Sequence, residues 1–141
     1  MTAKKQNPFK LKELRGVNPE YIRRLEARGI KSAEQMLTSG RTQKERATLA
    51  RETSVPEEAV LELVKLSDLT RLPGVKGIRA RLYYDAGVDS IEKMANWEPE
   101  ALRLMVAEYV ERIGFDGILP LPKEVTSTIA NARKLSRIIE N

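Results

Sequence analysis
In LTRLPGVKGIRAR, residues 69–81, four cations (Arg71, Lys76, Arg79 and Arg81) stand around a glycine corner at Gly74-Val75. The chemistry open to such a set is capture of a phosphate. The first glycine lets the chain turn at little steric cost. The turn then leaves successive backbone N–H groups beside the unpaired N-terminal N–H groups of the next helix, a concave donor site at the positive end of the helix dipole. A site of that kind holds phosphate oxygens without reading a base, so its binding is insensitive to sequence and sensitive to salt. The same corner is also an ordinary way of filling a small helical core, and both readings stand at this point.

Other chemistries find little support. The chain contains no cysteine, which excludes disulfides and thiolate metal sites, and no histidine, the commonest general base and metal ligand. Paired carboxylates such as Glu57 with Glu58 and Glu98 with Glu100 lie at the spacing of helix starts. No P-loop or nucleophile elbow occurs. The expectation is a non-enzymatic protein with no cofactor, no metal and no small-molecule substrate.

Composition bounds the setting. Of 141 residues, 41% are hydrophobic, enough for a core, and 32% are charged, as on long solvated helix faces. The longest run free of charged residues, Val125 to Ala132, is far too short to span a bilayer. The opening residues MTAKKQNPFKLKELR are basic without the apolar core of a signal peptide, so the expected location is cytoplasmic, away from membranes. The net charge of +5 is uneven: residues 1–31 hold nine Lys/Arg against three Asp/Glu, and residues 69–95 hold five against three. A basic footprint on those two segments favours a polyanionic partner.

The elements that must position the corner come twice. Displaced by 58 residues, LKELRGVNPEYIRRLEARGIKSAEQML (11–37) aligns with LTRLPGVKGIRARLYYDAGVDSIEKMA (69–95), with nine of 27 positions identical, among them Gly16/Gly74, Arg23/Arg81 and Gly29/Gly87. Matching glycines and apolar positions mean matching corners and core contacts. Beyond the match, residues 39–54 and 55–69 read as two helices of the first half, and residues 99–114 and 122–139 as their counterparts. Ser32 with Gln35, Thr42 with Glu45 and Ser54 with Glu57 have capping-box spacing, and Pro56 and Pro122 each open a last helix. On 99–114, Leu102, Met105, Val106, Tyr109, Val110 and Ile113 fall on one face. The fold expected is all-α: two tandem five-helix units at 10–67 and 68–141, packed as one pseudo-symmetric domain behind a basic arm at 1–9. That arm is either an auxiliary polyanion contact or a solubility tail. Trp97, Tyr83 and Tyr84 are expected at the junction, as core rather than as base-stacking platforms.

LTRLPGVKGIRA resembles a helix-hairpin-helix motif, and the stretch from 11 to 135 resembles a family catalogued as a domain of unknown function with tandem motifs of that kind. The resemblance implies a SAM-like fold and nucleic-acid binding through phosphates, DNA rather than RNA. It places the amides of Gly74, Lys76, Ile78 and Arg79 toward phosphate, with Gly77 keeping the approach open. The motif's second glycine is Asn18 in the first copy and Lys76 in the second. Asn18 with Pro19 and Glu20 reads as a self-sufficient helix start whose carboxylate competes with a phosphate, so the first corner, Gly16 to Asn18, is expected to be mainly structural. Lys12 and its lysine neighbours add non-specific charge. The glycosylases that share the motif need a lysine where Ile78 stands, and Asp89 lies only 15 residues beyond Gly74, closer than their aspartate. Non-sequence-specific nucleic-acid binding is the leading expectation. A protein-interaction or dimerisation scaffold with degenerate hairpins is the alternative.

Overall fold
The computed structural model describes residues 9–115 and 117–140. The arm proposed at 1–9 lies outside them apart from Phe9. The chain is all-helical, with no strand among the described residues beyond an isolated bridge between Lys10 and Ser32. A 3-10 turn, Leu11–Glu13, precedes α1 (Pro19–Ala27), α2 (Ala33–Ser39), α3 (Gln43–Thr53) and α4 (Glu57–Leu69). Then follow α5 (Gly77–Asp85), α6 (Ile91–Ala95), α7 (Pro99–Ile113) and α8 (Pro122–Ala132).

Local signals set most of the boundaries. Asn18 caps α1 by accepting the Glu20 N–H at 2.9 Å, with Pro19 in the first turn. Ser32 and Thr42 form capping boxes with Gln35 and Glu45, each worth about 1 kcal/mol of helix stability. Ser54 does not. It ends α3 in the left-handed region at φ 59°, and Pro56 precedes α4 as its cap rather than its first residue.

The two halves pair their helices alike. In the first, α2 and α3 pack on α4; in the second, α6 and α7 pack on α8. The corners match in detail. Leu14 N–H bonds Leu11 O at 3.1 Å as Leu72 N–H bonds Leu69 O, and Ile30 N–H reaches Leu25 O as Val88 N–H reaches Tyr83 O. Leu11, Leu69, Met36 and Met94 are all fully buried. One apolar core runs through both halves and takes in Tyr83 completely; Tyr84 and Trp97 pack on it partly buried. The nine elements among the described residues are one short of two sets of five. Where the first half has its 3-10 turn, the second has the end of α4, which continues to Leu69 without a break.

Two expectations fail at the C-terminal side. Ile113 is exposed, while Leu102, Val106 and Val110 face the core. The helix expected to continue through Ile139 stops at Ala132. Beyond it the chain leaves helical geometry because tertiary partners outbid the i→i−4 ladder. The Arg133 guanidinium donates to Ala95 O and Trp97 O, Leu135, Ile138 and Ile139 reach the core, and Glu140 N–H bonds Arg41 O at 2.7 Å.

Candidate functional site
The second corner is built from the end of α4. Leu69 and Leu72 anchor it in the core, Val75 N–H closes a turn onto Leu72 O at 3.0 Å, and Gly74 sits at φ 83°, where a side chain is strained. Lys76 then precedes α5 in extended geometry with no side-chain cap. The first bond of the new helix runs from Ala80 N–H to Lys76 O at 2.8 Å. Among the described residues, the amides of Gly74, Lys76, Gly77, Ile78 and Arg79 therefore have no acceptor. These are the unpaired donors that a helix start leaves.

The cations predicted around them divide into two groups. Three are already engaged. Arg71 donates to Asp68 Oδ1 at 2.7 Å and to Ser136 O at 3.0 Å. Arg79 donates to Glu124 Oε2 on α8 at 2.7 Å. Arg81 donates to Glu62 and Asp85, and its Nε reaches Arg15 O at 2.8 Å, tying the second half to the first. Burial alone would lower the Arg81 pKa, but the Glu62 and Asp85 carboxylates outweigh it and raise it, so the charge stays. Lys76 and Lys12, by contrast, are exposed and have no carboxylate partner among the described residues, and neither does Arg15.

These three converge. Lys12, Arg15 and Lys76 line a cleft of about 740 Å³ with Phe9, Ile78 and Ile118, and Arg79 forms part of its wall. Among the described residues Glu13 is the one carboxylate on the lining, and it accepts the Lys10 N–H at 3.0 Å. Gly77 does something the sequence did not indicate. A Cβ there would lie 2.2 Å from Glu13 O, so the missing side chain makes room for the first half's backbone, not for a ligand. The repeat does not single out Arg15, because its counterpart is Pro73; only the charge excess of residues 1–31 points toward it. A second cleft of about 580 Å³ lies on the other side of the corner, lined by Gly74, Arg79, Tyr83, Lys123 and Glu124. Burial pushes the Tyr83 hydroxyl up to about 12, so it remains a proton donor there.

The first corner is filled by its own groups. Asn18 Oδ1 occupies the Glu20 amide, and Glu20 pairs with Arg23 and Arg24. Gly16 is turned toward Arg81, whose Nε would lie 2.6 Å from a Cβ. Gly16 and Asn18 thus stand apart from the cleft, whereas Lys12 reaches it. Asp89 is held by ion pairs to Lys65 at 3.0 Å and Lys93 at 2.9 Å. No helix among the described residues is long and apolar enough to cross a membrane, and no group of three or more Asp or Glu among them could hold a metal ion.

The structure defines a class: an all-helical protein whose halves repeat one pairing scheme, with an unpaired donor corner in one of them. The chain belongs to the family described as Domain of unknown function (DUF4332), whose model matches residues 15–135. No curated protein and no solved structure matches it.

Proposed function
We propose that the protein binds nucleic acid, DNA before RNA, through backbone phosphates without reading sequence, as a non-enzymatic accessory module. In this reading the halves are tandem five-element helix-hairpin-helix units, the end of α4 serving as the first element of the second unit. The observation that carries it is the run of amides from Lys76 to Arg79, without an acceptor among the described residues, at a cleft that Lys12 and Arg15 also line. A phosphate there meets the helix dipole, the amides and three unpaired cations together.

Each phosphate neutralised on a duplex steepens the dependence of log K on log salt by about 0.9. Three free cations therefore give a slope of roughly −3. Arg15→Glu with Lys76→Glu, both exposed, should leave helicity unchanged. The same pair should flatten the slope by about 2 and weaken low-salt binding at least about tenfold. Fluorescence anisotropy on a random-sequence duplex measures both, and an unchanged slope would refute the reading.

Exposed Ile78, Ile118, Leu119 and Leu121, together with three arginines already matched to carboxylates or carbonyls, favour a second reading: a protein-interaction or dimerisation scaffold. Light scattering separates the two. A concentration-dependent dimer without duplex binding at low salt supports the scaffold.

A further inference from the structure
Arg79 lies on the lining of both clefts, on the first turn of α5, and its guanidinium bridges to the first turn of α8 through Glu124. The two partners are unequally held. The Arg79 side chain is 19% exposed and Glu124 is 46% exposed, so the cation is fixed by its surroundings while the carboxylate can turn into water. We infer that Glu124 is an internal substitute for phosphate, occupying Arg79 in the free protein and yielding it when a polyanion docks at the corner. This rests on the nucleic-acid reading above and assigns its regulation to one residue.

The chemistry of exchange is close to balanced. A partly exposed ion pair contributes little net stability, because solvent screens it and both side chains lose freedom. A phosphate offers Arg79 the same charge-assisted hydrogen bond with more acceptor oxygens. Release of Arg79 by Glu124 therefore adds one cation to the three without a carboxylate partner among the described residues. Arg81 is a different case. It donates to two carboxylates and a backbone carbonyl at once, and is not available for exchange.

The test is Glu124→Gln, which keeps the side-chain shape and removes the competing charge. Affinity for a short random-sequence duplex at low salt should rise about three- to tenfold, with the salt slope little changed, because Arg79 meets phosphate in both complexes and only the competitor is gone. Two comparisons make this specific. Glu111→Gln removes the same charge from an exposed position on α7 that belongs to neither cleft, and should change affinity less than about twofold. In an Arg79→Gln background, Glu124→Gln should no longer tighten binding. An effect equal to that of Glu111→Gln, or one that survives loss of Arg79, overturns the inference and leaves the phosphate-binding corner intact. No binding by wild type or by Glu124→Gln overturns both.

Discussion

Gly77 gives the clearest single-residue test, because two principles pull in opposite directions there. As the first residue of α5, alanine would be favoured over glycine by up to about 1 kcal/mol of helix propensity. The Glu13 carbonyl, however, stands 2.2 Å from where the Cβ would be, and backbone cannot swing aside as a side-chain tip can. Overpacking should win, and Gly77→Ala is expected to lose about 1–3 kcal/mol in urea unfolding. A midpoint at or above wild type would show that the 3-10 turn can retreat. Two aspartates carry opposite pH signatures. Burial raises the Asp68 carboxyl despite Arg71, so its contribution is greatest in acid and is lost as pH rises through its folded value. At Asp89 burial acts in the same upward direction, but Lys93 and Lys65 outweigh it and the net shift is downward. Its contribution is therefore present at neutral pH and lost on acidification. Asp89→Asn should cost more stability near pH 7 than near pH 3, and Asp68→Asn less, as urea titrations at the two pH values will measure.

Among the elements, the segment after α8 departs furthest from its local pattern. Leu135, Ile138 and Ile139 are spaced to continue a helix, yet the chain runs as an irregular strap back to the first half. Its anchor is Arg46, 5% exposed, whose guanidinium donates to the carbonyls of Gly40, Arg41 and Glu140 at 2.9–3.0 Å. Arg46→Met would take away the donor to the Gly40 and Glu140 carbonyls, while Arg41 O keeps the Glu140 N–H. It should lower stability by about 1–3 kcal/mol and raise hydrogen exchange across 134–140 ahead of the rest of the chain. Uniform exchange would mean that the strap is held by its apolar residues and its other polar ties, not by Arg46. The contrast explains what was legible in the sequence. The caps of α1, α2 and α3 act over three or four residues, so Asn18, Ser32 and Thr42 announce them. The end of α8, the exposure of Ile113 and the left-handed Ser54 depend on partners far along the chain. The candidate site divides the same way. The repeat pointed to Gly74 and Lys76, and Asp68 and Asp85 stand within four residues of Arg71 and Arg81, but nothing local reveals that Ser136 O, Glu124 and Glu62 complete the matching of Arg71, Arg79 and Arg81.

At the scale of the molecule, the halves share a pairing scheme and one core but present different surfaces. The charge excess of residues 1–31 is carried to the second half's corner by the contact between Glu13 and Gly77 and by the bond from Arg81 to Arg15. A cluster assembled in this way has its strength set by packing between the halves as well as by the side chains themselves. The closed first corner has a consequence for stoichiometry. A duplicated fold invites the arithmetic of two ligands per chain, with tandem avidity and the power to bridge separate strands. On the nucleic-acid reading proposed above, with Asn18 and Glu20 sealing one copy and Arg81 seated against its glycine, the duplication would yield a monovalent protein, in which one repeat serves as the scaffolding of the other.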